Sequence, residues 1–398
     1  MMTSMPQSAL HQSALTQTGM PRSAMHQSEM AQAGMPQSAM TQSAMPQSRM
    51  PGSEMQKSIL PQYWYVVADT RELTRNTVLS RKVLDESLAC YRDPRGQVVI
   101  AQDRCIHRSA SLSSGTVSNG TLTCRYHGWN YGDSGKIVSI PCEGGEEFAT
   151  KCGMRAKTYK SIEQDGYVYV CLAPGEHTPT RPLTLSDLGS VWKGRIRLQN
   201  RFQNSLSNCV ENYIDVPHTA YVHHGIFRKP KGEPLRTSVT RCEGRIDITY
   251  HGERLNLGTF SSFLNPNGTE IEHTDHFFAP NVTSVHYKMP NGYRYSISSQ
   301  SIPVSSMETM VYTDISYDFG IWTSLSTGIV RRQAEEVLRQ DIDILNEQGR
   351  NIDKYGERFY TTSADLIHTL TSEVITAMTN GKAPADISAE AKEITFCV

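Results

Sequence analysis

Residues 211–223 read Glu211-Asn212-Tyr213-Ile214-Asp215-Val216-Pro217-His218-Thr219-Ala220-Tyr221-Val222-His223. A carboxylate sits three residues before one histidine, and a second histidine follows five further on. Two histidines joined by a distant carboxylate leave open positions on Fe(II), the arrangement used to bind and activate dioxygen. The stretch alone gives only the outline of an iron site, and its weight depends on what surrounds it.

The chain has 398 residues and a formal net charge of -1, from 39 basic and 40 acidic side chains. That length suffices for two domains with cores. The balanced charge gives no electrostatic case for nucleic acid or an anionic membrane. There is no run of about 18 apolar residues and no basic-then-apolar leader, so neither a membrane span nor secretion is expected, and the plain reading is a cytoplasmic enzyme. Nine cysteines, an odd number without a compact pattern, fit thiols and metal ligands better than disulfides.

Up to about Leu60 the sequence repeats every five residues, as in PQSAL, HQSAL and PRSAM, and eleven of the sixteen methionines lie there. A period of five matches neither helix nor strand, and the recurring prolines remove helix donors, so residues 1–60 are expected to be a disordered tail. Methionine repeats offer soft ligands for Cu(I), but the plainer reading is a slippage-expanded tail, with Met50 or Met55 as candidate working starts.

Order is expected from Tyr63-Trp64-Tyr65-Val66-Val67 onward, an aromatic and β-branched run. Residues 61–175 read as a small all-β module that ends on Tyr167-Val168-Tyr169-Val170, and Leu172 to Pro182 is the candidate link to a second domain, 176–398. In that domain Asn204 to about His224 is helical in character and interrupted by Pro217. Alternating runs at Ile246–Tyr250, Thr283–Tyr287 and Thr309–Thr313 predict one antiparallel sheet. A late helix follows, with Ile329, Val330, Ala334, Val337, Leu338, Asp341, Ile342 and Leu345 at helical spacing. A carboxylate in that inward stripe needs a partner, and iron would be one.

Within the β module, Cys105-Ile106-His107-Arg108 and Cys124-Arg125-Tyr126-His127-Gly128-Trp129 are separated by sixteen residues counted from His107. Each loop offers one thiolate and one imidazole, the Rieske division of ligands on a [2Fe-2S] cluster, sulfur on one iron and nitrogen on the other. A Cys2His2 zinc site uses the same ligand types, but zinc fingers pair Cys with Cys and His with His. Position 110 is Ala, so a disulfide brace between the loops is not expected.

Cys-x-His-Arg, Cys-x2-His-Gly-Trp, the following Gly132-x2-Gly135-Lys136 and then Asp-x2-His-x4-His resemble the oxygenase component of the Rieske non-heme iron oxygenases, over about residues 62 to 350. The resemblance implies an α+β protein: a Rieske domain with Cys105, His107, Cys124 and His127 on the cluster, then a helix-grip, START-like catalytic domain of antiparallel sheet and helices. It implies that His218, His223 and a late-helix carboxylate, Asp341, hold mononuclear Fe(II), with His224 and Asp343 as the competing positions. It implies that Asp215 links the cluster of one subunit to the iron of the next in a head-to-tail homotrimer, and that Asn212 lies near the iron.

The residues support those roles unevenly. Asp215 and His218, at i and i+3, share a helical face, so the carboxylate can orient the imidazole. His218 and His223 are about 140° apart on a regular helix, so both reach one ion only if Pro217 distorts it. Glu211, four before Asp215, reads as a structural partner. No GxGxxG or plant-type ferredoxin pattern is present, so a ferredoxin or an NAD(P)H-dependent flavin reductase must supply electrons from outside. The expected activity is oxygenation of a small, aromatic organic substrate by hydroxylation, dihydroxylation or demethylation, with the pocket lined near Phe260, Phe263, Tyr287 and Tyr295. The alternative is a Rieske electron carrier without oxygenase chemistry.

Overall fold

The structure is a computed structural model that describes residues 41–43, 58–147, 149, 153–190, 192–223, 226, 232–254, 265 and 267–398. It confirms the α+β class: antiparallel sheets carry the first part, and a larger sheet with two main helices carries the rest. Most of the repeat tail lies outside the described residues, as do Phe260, Phe263 and His224. Thr41–Ser43 pairs with Phe359–Thr361. Ile59 and Leu60 are buried in the core of the larger sheet, so packing begins before Tyr63.

The first part is a six-stranded antiparallel sheet in the order Tyr65–Asp69, Tyr167–Cys171, Thr158–Gln164, Val98–Gln102, Glu86–Arg92, Val78–Val83. Its closing strand Tyr167–Cys171 is buried at all five positions, as an aromatic and β-branched run between two packed faces should be. A four-stranded sheet of short strands, from Thr116–Ser118 to Ile137–Ser139, stands beside it and presents the second Cys/His loop.

The larger sheet has eight antiparallel strands, with Gly194–Phe202 at one edge and Glu390–Cys397 at the other. Strand Pro234–Cys242 alternates exposed and buried residues, the period-two signature of a half-buried strand. Glu308–Asp318 is buried almost throughout, because both of its faces are covered. On one face lie the helices Thr323–Tyr355 and Leu366–Thr379. On the other, Tyr312 packs into the core of the six-stranded sheet.

A buried ion cluster fixes that second contact. Arg197 bonds Asp69 at 3.0 Å and Asp314 at 3.1 Å, Tyr167 donates to Asp314 at 2.7 Å, and the Arg197 guanidinium lies 3.4 Å from the centre of the Tyr167 ring. Hydrogen bonds from Arg71, with Arg197 adding to them, hold the Asp69 carboxyl well below the usual carboxylate range. An arginine satisfied on its edge and its face is a rigid brace between the two sheets.

The long helix contains the predicted late helix, with one correction. Val330, Ala334, Leu338, Asp341 and Leu345 face inward, but Ile329 is 63% exposed. Gly349 lets this helix approach the edge strand: a Cβ there would lie 1.8 Å from the Gln203 carbonyl oxygen. No helix among the described residues is long and apolar enough to cross a membrane.

Candidate metal centres and cavity

The two Cys/His loops are built alike. In the first, the Cys105 N–H donates to the Ala110 carbonyl and the Ser109 N–H to that of Cys105; in the second, Cys124 bonds Trp129 and Gly128 bonds Cys124 in the same way. The fifth residue of each turn has a positive φ, 58° at Ser109 and 70° at Gly128, a conformation that suits glycine. The loops therefore present Cys105, His107, Cys124 and His127 at one place, with the His107 and His127 rings 4.6 Å apart.

Trp129 stacks on His107 at 4.8 Å, and Tyr131, which sequence reasoning passed over, donates to the Cys105 sulfur at 3.0 Å. Both sulfurs are buried. Burial pushes the Cys124 thiol up, so a thiolate there calls for a cation. His107 Nδ1 is buried with no hydrogen bond, as expected of an atom reserved for a metal. The donor set and its orphaned nitrogen fit a [2Fe-2S] cluster with two sulfur and two nitrogen ligands.

The stretch from Glu211 is not one distorted helix. The helix Leu206–Asn212 starts on a Ser205 cap and ends five residues before Pro217, which opens a separate 3-10 turn, Pro217–Ala220. Proline suits that first position because it needs no N–H partner. The break brings the two histidines together where a continuous helix would hold them apart. Asp215 reaches His218 across the break: its Oδ2 is 3.2 Å from the His218 backbone N and 2.9 Å from Nδ1. The expected contact is present, made by a turn and not by a shared helical face.

His218, His223 and Asp341 converge, with one potential ligand atom from each within 4.8 Å of the others. Asp341 Oδ1 lies 3.1 Å from His223 Nε2 and 3.8 Å from His218 Nε2. The Nδ1 atoms are committed elsewhere: His218 to Asp215, and His223 to Gln340 Oε1 at 2.9 Å. Gln340 Nε2 in turn donates to Glu336 at 3.0 Å, which fixes the amide so that its oxygen faces His223. Donation through Nδ1 leaves Nε2 as a lone pair on each ring. Two lone pairs then face a buried carboxylate oxygen that accepts no hydrogen bond. A divalent cation resolves that conflict, and two imidazoles with one carboxylate suit Fe(II).

The competing residues have other roles. Asp343 is exposed and paired with Arg339 at 2.8 Å, while Glu211 binds His368 at 2.5 Å. Gln340 was missed in the sequence, where its only signal is adjacency to Asp341.

A cleft with about 740 Å3 of empty space, part of it open to solvent, lies against this triad. Asn212 and Asp215 border it, and aliphatic side chains such as Val285, Ile297, Ile315 and Leu338 form a large part of its wall. Tyr287 and Tyr295 line it as expected.

Comparison with known proteins agrees with this geometry. Residues 63–160 match the Rieske [2Fe-2S] domain, and residues 202–372 match the vanillate O-demethylase oxygenase C-terminal domain. The chain belongs to the Rieske non-heme iron oxygenases, with the two-domain composition of their oxygenase components. It is 31% identical over 186 residues to the oxygenase component of dicamba O-demethylase from Stenotrophomonas maltophilia, a match covering 46% of this chain and 53% of that protein. It is 27% identical over 323 residues to the vanillate O-demethylase oxygenase subunit of a Pseudomonas species, covering 74% and 87%. The first of these matches thus spans about half of the relative's length. A dicamba monooxygenase structure with dicamba bound superimposes with a TM-score of 0.70 at 20% identity, over 81% of this chain and 98% of the other, a likeness of fold.

Proposed function

We propose that this chain is the terminal oxygenase of a multicomponent system and oxygenates a small organic substrate in the cleft beside His218, His223 and Asp341. The observation that carries this reading is the buried two-histidine, one-carboxylate site opening on an apolar cleft, for which an electron carrier has no use. Cys105, His107, Cys124 and His127 would hold the cluster. When bound, the cluster supplies single electrons and the mononuclear Fe(II) supplies dioxygen activation.

The protein's own groups orient and exclude. Asp215 holds the Nδ1 proton of His218, Gln340 holds that of His223, and the aliphatic wall sheds water from the substrate and sets which carbon lies nearest the centre. Names of relatives such as the vanillate and dicamba O-demethylases favour monooxygenation or demethylation of an aromatic compound.

An external ferredoxin or a flavin reductase using NAD(P)H, in the same cytoplasmic compartment, is the proposed electron source. A head-to-tail homotrimer would bring one subunit's Rieske histidines to the next subunit's Asp215. Exposed apolar side chains beside each centre suit such a contact: Ile106 and Tyr126 at the cluster loops, and Tyr221 at the iron loop.

The test is substrate-dependent oxygen uptake by the reconstituted system, with product identification across methoxyarenes, arenes and amines. Uptake that stops in Asp341→Ala supports the reading. Undiminished uptake in that variant overturns it.

A further inference from the structure

The inner face of the eight-stranded sheet is laid out in cross-strand rows. One row runs Ile248, Asp275, Val285, Ile297, Ile315, Ile196 across six strands. It is aliphatic except for Asp275, which is 1% exposed and borders the cleft. The next row runs Tyr250, His273, Tyr287, Tyr295, Tyr317. A charged group in such a wall is costly unless it is paired.

The pairing is visible. His273 has no exposed side-chain area. Its Nδ1 lies 2.5 Å from Glu253 Oε2 and its Nε2 3.0 Å from Asp275 Oδ1. Its ring is sandwiched between Tyr250 and Tyr287, each centroid 4.2 Å away. Tyr250 donates to Asp275 Oδ2 at 3.0 Å. An imidazolium between two aromatic faces and two carboxylates is well held, and Asp275 is the carboxylate of the cluster that borders the cleft. A divalent ion at His218 and His223 is balanced by Asp341 and Asp215, and among the described lining residues there is no lysine or arginine to pair with a substrate carboxylate.

We propose that the Glu253–His273–Asp275 cluster is the polar end of the substrate cavity, an acceptor that selects a neutral or cationic substrate bearing a hydroxyl or amino group and rejects a carboxylate. The inference rests on the cleft being the substrate site. An incoming O–H or N–H gains a charge-assisted hydrogen bond at Asp275, whereas a carboxylate meets like charge in a low-dielectric wall and loses its water.

The test is calorimetric titration of the anaerobic holoenzyme with para-methoxyphenol, para-methoxybenzylamine and para-methoxybenzoate, three probes differing at one end. The phenol and the amine are expected to bind roughly tenfold or more tightly than the benzoate. In Asp275→Asn, which keeps the shape and removes the charge, that gap should shrink severalfold. Equal or tighter binding of the benzoate by the wild-type protein, no binding of any probe, or an unchanged gap in a folded Asp275→Asn variant would overturn the proposal. The wild-type ranking decides alone if the variant does not fold. Oxygen uptake with the same probes separates the two readings: the binding order without any uptake upholds the cluster's role and counts against the oxygenase, and uptake alongside a benzoate preference does the reverse.

Discussion

Asp215 Oδ2 sits 2.9 Å from His218 Nδ1 and also takes the His218 backbone N–H, so one carboxylate oxygen fixes both the ring and the turn that carries it. Replacing Asp215 with Ala should loosen the mononuclear iron and, in protein kept replete with iron, still slow reoxidation of the reduced cluster by about 10–100-fold, the usual cost of removing a residue that orients a metal ligand. Stopped-flow spectroscopy of the cluster beside iron analysis checks this. Normal reoxidation would remove Asp215 from the proposed path between subunits.

Gln340 does for His223 what Asp215 does for His218, but with a neutral amide. Gln340→Ala frees His223 Nδ1 to change tautomer, and iron affinity should fall by about 10–100-fold. Chelator competition measures the loss, and unchanged iron affinity would show that His223 does not depend on Gln340.

His273 gives stability a pH dependence. Burial pulls its pKa down, but the Asp275 and Glu253 carboxylates outweigh burial and raise it from 6.5 to about 9. A histidine raised on folding stabilises the protein fully below its unfolded value and loses that contribution as pH rises through the folded value. The difference in unfolding free energy between wild type and His273→Gln should therefore shrink from pH 6.5 to about 9. Denaturant titrations at a series of pH values test it, and a constant difference would show that His273 is not charged in the fold.

Alanine in place of a mid-helix glycine normally stabilises by roughly 0.5–1 kcal/mol. At Gly349 the sign should reverse, because the added Cβ meets the Gln203 backbone at 1.8 Å. Forcing the long helix off the sheet edge should cost about 1–3 kcal/mol, readable as a lower unfolding midpoint, with some loss of iron because Asp341 rides on the same helix.

Much of this was legible in the sequence because it rests on short-range chemistry. The Cys/His loops and the position of Asp341 follow from spacing and from one charged residue in an apolar stripe. The convergence of His218 and His223 was legible only as a need. Pro217 marks the break, but the turn through Asp215 that satisfies it depends on tertiary packing. Gln340 was hidden because amides are common on helix surfaces, and only the fold places it beside His223. The Glu253–His273–Asp275 cluster joins a strand to the segment after its neighbour, and in sequence Glu272-His273-Thr274-Asp275 reads as an ordinary polar strand. Ile329 looked inward because it shares the helical spacing, yet it lies outside the angle that the sheet covers.

The central claim, that His218, His223 and Asp341 hold a mononuclear iron apart from the cluster, is tested most directly by counting iron in purified wild-type protein and in Asp341→Ala. A two-iron cluster plus one mononuclear ion gives about three irons per chain, and the variant should fall to about two with its Rieske absorption unchanged. Equal iron in the two proteins would contradict the account.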